Sequence, residues 1–324
     1  MDEPIEPTPR RTAAARSPRE HALAVAQALL VTFLWSTSWI LIKVGLDDLD
    51  LAPISFAGLR YALAALILLP FGLRAMRAAH AAEPIGLRLL LRTAVYGLLF
   101  VAVAQGAQFA ALSVLPATAV SLVLASVPAV VALMALAGRH ERATAGQAAG
   151  IGLLTFGALL YFGPFDVPAE ATLGFVAAGM CVLAAALSSH LGRRLARDAT
   201  RHLGGPIGLT ASSMAVGGVA LLVVGVALEG WPRLDGIGWL IVGWLALVNT
   251  AFAFTLWNHT LRTLTAVESS VVNNTMTIQI AILAIVFLGE LLEPIQLVGL
   301  LLAAAGAAIV QLAPMLRRRQ PVSR

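Results

Sequence analysis

An internal repeat constrains this chain more than any other feature of its sequence. Several residues of the second half are identical to residues of the first half at a fixed separation of 149 positions. The matched pairs are Glu141 with Glu290, Gln147 with Gln296, Gly150 with Gly299, and Gly157 with Gly306. A repeat of this length indicates a fold assembled from two similar units, so each half has to be interpreted beside the other.

Composition identifies lipid as the solvent for most of the chain. Hydrophobic residues make up 59% of the 324 residues and charged residues 12%, whereas about a quarter of the residues in a soluble domain are charged. A helix needs about 20 apolar residues to cross the hydrocarbon of a bilayer, and the sequence contains ten such segments, which we number spans 1 to 10. They are predicted at residues 22–44, 53–73, 91–112, 117–137, 147–162, 172–194, 207–228, 236–257, 267–288 and 295–314.

The positions of Lys and Arg predict how these spans are oriented. An even number of spans places both ends of the chain on one face of the membrane, which we call the terminal face. Of the 22 Lys and Arg residues, Lys43 and Arg233 fall on the opposite face, Arg60 falls within span 2, and the others fall on the terminal face. Cytoplasmic loops carry the excess of positive charge, so we expect the terminal face to be cytoplasmic. The pI near 10.3 then indicates attraction to anionic lipid headgroups rather than to nucleic acid.

The ten spans divide into two repeats of five, with a charged tail at each end. We expect repeat 1 at residues 21–163 and repeat 2 at residues 170–314. Because five is odd, a head-to-tail fusion inverts the second copy relative to the membrane, as in transporters whose two bundles rock around a central site. Residues 1–20 are predicted to be a disordered cytoplasmic tail, and residues 315–324 a basic cytoplasmic tail.

Motifs in both halves carry a family resemblance that covers residues 22–314. They are the run FLWSTSW at 33–39, Lys43, Pro53, Arg60, the segment 117–128, Glu141, and the pair Gly289-Glu290. In order, spacing and duplication these motifs resemble the EamA-type transporters of the drug/metabolite transporter (DMT) superfamily. The resemblance implies an all-α polytopic membrane protein, with ten transmembrane helices arranged as two inverted five-helix repeats around a central cavity. It also implies substrates among amino acids, other small metabolites and toxic compounds.

Polar and aromatic residues within the spans are candidates for contact with a substrate, because polar groups in hydrocarbon are costly unless they face protein or water. On span 9, Asn273 and Thr277 share one helical face and Asn274 lies beside them; the alternative is that they bond neighbouring helices. On span 1, Trp35 and Trp39 either line the cavity or belong to an interfacial aromatic belt. The predicted substrate-binding residues are Trp35, Ser38, Trp39, Arg60, Gln105, Gln108, Ser121, Trp257, Asn258, Asn273, Asn274 and Thr277.

Charged residues and one proline form a second group of candidates. Arg60 lies about 10 Å inside span 2 at helical rise and either binds a carboxylate or phosphate of the substrate or forms a structural pair. Protonation of Glu268 is a hypothesis for coupling, because a carboxylate that moves from water into a drier pocket changes its pKa. Pro128 removes a helical hydrogen bond and predicts a hinge. The predicted coupling and gating residues are Lys43, Pro128, Glu141, His190, Glu268 and Glu290.

Uncharged donors and acceptors outnumber buried charges among these candidates, which favours a small polar or zwitterionic, amino-acid-like substrate or a toxic compound. We predict a secondary transporter that exports this substrate by alternating access; coupling to protons is a hypothesis, and simple facilitation is its alternative. An intramembrane enzyme and a channel or scaffold are the alternatives. The sequence shows no catalytic, metal-binding or nucleotide-binding motif, so we expect no enzymatic activity and no cofactor. High alanine, glycine and arginine content indicates the inner membrane of a GC-rich bacterium, where a homodimer is one assembly that the sequence allows.

Overall fold

The computed structural model describes residues 18–80, 86–137, 144–163 and 169–317, and the regular structure within these ranges is entirely helical. Ten helices there are long and apolar enough to cross a membrane, which confirms the predicted all-α fold with ten spans. Seven of the spans are single helices: span 1 (Pro18–Asp47), span 2 (Pro53–His80), span 5 (Ala145–Phe162), span 6 (Ala169–His202), span 7 (Pro206–Glu229), span 9 (Ala266–Leu288) and span 10 (Pro294–Arg317).

Spans 3 and 8 are each interrupted by a π-helical segment. Span 3 consists of Leu87–Gly97, the π segment Leu98–Val103 and Ala104–Leu112. Span 8 consists of Gly236–Ala246, the π segment Leu247–Phe252 and Ala253–Thr260. The two π segments are separated by 149 positions, the spacing of the sequence repeat. Since π turns are rare and concentrate at functional sites, their presence at equivalent positions shows that the halves share backbone geometry as well as sequence.

The helices pack as expected for two copies of one unit. Span 2 packs along span 7, and span 5 packs along span 10, so each of these helices contacts its own counterpart in the other repeat. Span 1 packs against span 9 and span 3 against span 6. Because each repeat has five spans, the second begins on the face opposite to the first, which gives the inverted arrangement.

The repeated glycines lie where spans 5 and 10 approach each other closely. A Cβ atom added to Gly157 would stand 2.4 Å from the backbone nitrogen of Ala303, and one added to Gly306 would stand 2.4 Å from the backbone nitrogen of Leu154. Small residues allow membrane helices to pack backbone against backbone. The glycine matches found in the sequence therefore reflect a pseudo-symmetric contact between the last helices of the two repeats.

Span 4 is broken into two segments that have different neighbours. Its first segment, Ala117–Leu124, packs against spans 9 and 6, whereas its second, Val127–Ala137, packs against spans 6, 10 and 5. Within the described part of the chain, the second segment makes no extended contact with span 9. The break lies at residues 125–126, next to Pro128, which has no N–H to donate to the Leu124 carbonyl. Spans 4 and 9 are thus joined near the opposite face and diverge toward the terminal face.

Candidate functional site

Aromatic side chains from spans 1, 3 and 8 form a continuous wall. The ring of Trp35 lies 5.1 Å from that of Phe254 and 5.3 Å from that of Trp257, measured between centroids. Phe254 in turn lies 6.3 Å from Phe100. The indole Nε1 of Trp35 is buried and has no hydrogen-bond acceptor among the described residues. A tryptophan N–H normally finds a partner when it is buried, so this unpaired donor makes Trp35 a candidate contact for a bound molecule.

Arg60 is buried among spans 2, 3 and 8. Its side chain is 4% exposed, and its Nε donates a hydrogen bond to Thr250 Oγ1 at 3.1 Å. The guanidinium carbon lies 5.0 Å from the ring centroid of Tyr61 and 6.0 Å from that of Phe109. Thr250 belongs to the π segment of span 8. The structure therefore brings the predicted cation to one of the two irregular backbone segments.

One of the two predicted glutamines of span 3 lies near Arg60. Gln105 accepts a hydrogen bond from the hydroxyl of Tyr61, which follows Arg60 in span 2, at 2.6 Å. Gln108 is 8% exposed. Gln105 therefore holds the Tyr61 ring that covers the guanidinium.

Some polar side chains of span 9 form hydrogen bonds with other helices. Gln279 accepts a hydrogen bond from Ser36 of span 1 at 2.9 Å. Asn274 Oδ1 accepts one from Gln311 of span 10 at 2.9 Å. By contrast, Asn273 is exposed and Thr277 is partly buried, on the half of span 9 that diverges from span 4. Asn273 and Thr277 are thus the span 9 candidates that lie where the second segment of span 4 makes no extended contact with described residues of span 9.

The remaining predicted binding residues differ in accessibility. Trp39 is 7% exposed and packs within the main hydrophobic core. The hydroxyls of Ser38 and Ser121 donate to the backbone carbonyls of Trp35 and Thr118, respectively. Asn258, near the end of span 8, is partly buried. Of the span 1 residues, the structure therefore places Trp35, rather than Trp39 or Ser38, at the aromatic wall.

Lys43 and His190 are gating candidates on spans 1 and 6. Lys43 forms an ion pair with Asp47, one helical turn further along, at 2.9 Å. His190 is exposed on span 6. Glu141 lies outside the described residues. Lys43 thus has a local acidic partner, as expected for a lysine that reaches the interface with its head group.

Glu290 binds the beginning of span 4. Its carboxylate accepts hydrogen bonds from the backbone N–H groups of Ala117 at 2.6 Å and Thr118 at 3.1 Å. It also accepts one from the Thr118 hydroxyl at 2.6 Å. Position 116 is a proline without a side-chain cap, so a carboxylate from the end of span 9 supplies the acceptor that helix N-termini require. This contact holds spans 4 and 9 together at the opposite face.

A second carboxylate, which the sequence interpretation missed, caps span 2. Glu229, the last residue of span 7, accepts hydrogen bonds from the backbone N–H groups of Ile54 at 3.1 Å and Ser55 at 2.7 Å. Span 2 begins after an alanine, Ala52, which has no capping side chain. A helix start without a capping residue was the signal available in the sequence, although its partner lies 174 positions away from Ser55.

Glu268 has a local structural role. It forms a capping box with Thr265, in which Thr265 Oγ1 accepts from the Glu268 N–H at 3.3 Å and Glu268 Oε2 accepts from the Thr265 N–H at 2.8 Å. The other carboxylate oxygen lies 3.2 Å from His21 Nε2, with 36% of the Glu268 side chain exposed. Such reciprocal bonds stabilise a helix start. The acid proposed for coupling therefore also orders the first turn of span 9.

Ten helices that are long and apolar enough to cross a membrane, arranged in two inverted repeats with an aromatic wall formed by spans 1, 3 and 8, define a polytopic membrane transporter. The profile of the EamA-like transporter family matches residues 22–163 and again residues 173–312, so the chain belongs to this family. It is similar to the "Uncharacterized transporter YoaV" of Bacillus subtilis (strain 168), with 26% identity over 249 residues that cover 74% of this chain and 80% of that protein. A crystal structure described only as that of a "protein" shares the fold, with TM-score 0.62 and 21% identity over 92% of this chain and 99% of that one.

Proposed function

We propose that this protein exports a small polar or zwitterionic, amino-acid-like metabolite or toxic compound by alternating access. The observation that carries the proposal is the unequal packing of spans 4 and 9. Glu290 joins them at the opposite face, whereas the second segment of span 4 has no extended contact with described residues of span 9 near the terminal face. In inverted repeats, exchange of the two packings would close one face and open the other.

The charge distribution supports export with the terminal face in the cytoplasm. Lys and Arg are concentrated on the loops of that face, as in cytoplasmic loops of bacterial inner-membrane proteins. In this orientation the ends of spans 4 and 9 that lack extended contact among the described residues face the cytoplasm, and we infer that a substrate enters there. The candidate binding residues are mainly aromatic or uncharged, which suits a small molecule that carries few net charges. A homodimer stays a prediction.

Replacing Trp35 with alanine is expected to reduce transport by about tenfold, because an aromatic wall and an unpaired donor are lost together, worth roughly 1.4 kcal/mol of binding. The measurement is substrate efflux from proteoliposomes loaded with a bacterial metabolite extract and followed by mass spectrometry. The control is Phe33→Ala on the same helix, where the side chain is 47% exposed. Efflux that saturates and is stimulated by substrate outside supports a carrier. Efflux that rises linearly with concentration, or equal loss in both variants, would contradict the proposal.

Proton coupling through Glu268 is tested by two substitutions that differ in their effect on the capping box. Glutamine preserves a capping box whereas alanine does not, so Glu268→Gln is expected to fold like the wild type and Glu268→Ala to lose about 1 kcal/mol of stability. If Glu268 carries the coupled proton, efflux by Glu268→Gln no longer responds to an imposed pH gradient. A full response in that variant would assign Glu268 to the cap alone.

A further inference from the structure

We propose that Arg60 is the anion-binding residue of the transport site and that it binds a carboxylate of the transported molecule. This inference rests on the proposed function and narrows its substrate class. It selects compounds that carry a carboxylate over cationic amines and neutral amides of the same shape.

The first argument is the uncompensated charge of Arg60. Ion pairs among the described residues include those of His21 with Glu268, Lys43 with Asp47 and Arg92 with Asp198, and none of these includes Arg60. A charged side chain in a membrane interior is costly and normally has a partner or faces an aqueous pathway. The Arg60 side chain is 4% exposed and has no described carboxylate beside it. Its guanidinium is therefore suited to bind an anion from outside the protein.

The second argument is the way in which the guanidinium is held. Thr250 donates its own hydroxyl proton to the Leu245 carbonyl at 2.7 Å, which leaves its lone pairs for the Arg60 Nε. The rings of Tyr61 and Phe109 lie near the guanidinium, and Tyr61 is fixed by Gln105. The hydrogen bond to Thr250 occupies the Nε, while the two terminal amino groups donate to no described residue. These two amino groups can donate a pair of parallel hydrogen bonds to one carboxylate.

The third argument is an unused acceptor next to Thr250. Asn249 directs its Nδ2 toward span 1, where Thr37 Oγ1 accepts at 3.2 Å, but its buried Oδ1 receives no hydrogen bond from a described residue. An unpaired buried acceptor is costly. Both residues belong to the π segment of span 8. This segment thus anchors the anion-binding side chain and offers an acceptor for a donor group on the same substrate.

The test compares wild type, Arg60→Gln, Arg60→Lys and Arg233→Gln in proteoliposomes loaded with one of two probes. The first probe is a bacterial metabolite extract, and the second is the same extract after its carboxylates have been converted to amides. Arg233 is an exposed arginine on the opposite face, so its replacement controls for loss of one positive charge. Compounds released are identified by mass spectrometry, and the melting temperature of each variant is measured in detergent.

We expect the wild type and Arg233→Gln to release a discrete set of carboxylates from the first probe and none of their amides from the second. Arg60→Gln should release them at least tenfold more slowly, and Arg60→Lys, which retains the charge without the fork, at an intermediate rate with raised KM. The melting temperature of Arg60→Gln should be no lower than that of the wild type, because a buried unpaired charge is removed.

Two results would overturn the assignment. One is equal release of amides and carboxylates by the wild type. The other is a folded Arg60→Gln or Arg60→Lys variant with unchanged KM for the carboxylates, which would give Arg60 a structural role. If the wild type releases nothing from either probe, the proposed export function fails and the carboxylate site fails with it. These outcomes separate an error about Arg60 from an error about transport.

Discussion

Gly157→Val is expected to prevent stable folding of the protein. The new side chain would place its Cβ 2.4 Å from the Ala303 nitrogen and 2.5 Å from the Gly299 carbonyl oxygen, which are backbone atoms of span 10. Overpacking a core costs about 1 to 3 kcal/mol where side chains can adjust, and contact with backbone requires movement of a whole helix. We expect a loss of about 3 kcal/mol or more, measured as the melting temperature and the monodisperse fraction in detergent.

The matched control lies on the same helix. Nothing lies within 4 Å of a Cβ added to Gly152, so Gly152→Val has the same change in volume and helix propensity without the collision. It should fold like the wild type. Similar stability of both variants would show that spans 5 and 10 do not depend on backbone contact, and similar loss would assign the effect to valine within span 5.

Glu290→Gln is expected to open the protein at the opposite face. The substitution replaces a carboxylate that accepts from Ala117 and Thr118 with a neutral amide. Hydrogen bonds to charged groups contribute about 1.5 to 3 kcal/mol, so the balance between closed and open forms should shift on the order of thirtyfold for a loss of about 2 kcal/mol. The measurement is the rate at which a membrane-impermeant maleimide labels Ala119→Cys, buried on span 4, after replacement of Cys181.

Glu229→Gln provides the comparison for this experiment. It weakens an equivalent carboxylate cap, but one that joins span 7 to span 2 rather than span 9 to span 4. Stability should fall while labelling at position 119 stays near the wild-type rate. Wild-type labelling in Glu290→Gln would refute a gating role for this carboxylate. Fast labelling in both variants would indicate general loosening of the helices.

The fold was predictable to an unusual degree because lipid imposes simple requirements on a chain. Each span must be long, apolar and helical, since backbone groups have no water to bind in hydrocarbon. The predicted span 267–288, for example, ends at Leu288, where span 9 ends in the structure. The repeat indicated how the two halves are related, and its glycines at 157 and 306 lie at a close contact between spans 5 and 10. The π segments were not predictable, because the sequences LLFVAV and LVNTAF have no composition in common that separates them from ordinary helix.

The candidate site was predictable only in part, because a helical face does not say what it contacts. Asn273 and Asn274 are adjacent and chemically identical, yet Asn274 binds Gln311 of span 10 and Asn273 is exposed. Trp35 and Trp39 differ in the same way, at the aromatic wall and in the core. One residue corresponds to 100° of rotation around a helix, so the distinction depends on the position of each neighbouring helix.

The sequence alone determined the number of spans, the repeat and the family resemblance, because hydropathy and periodicity are properties of contiguous segments. The tertiary structure decided which charges have partners. Glu290 and Ala117 are 173 positions apart, and Arg60 and Thr250 are 190 apart, so no local pattern relates them. Their pairing follows from how the two repeats pack together, and it separates a carboxylate that joins two helices from a cation with no ion-pair partner among the described residues.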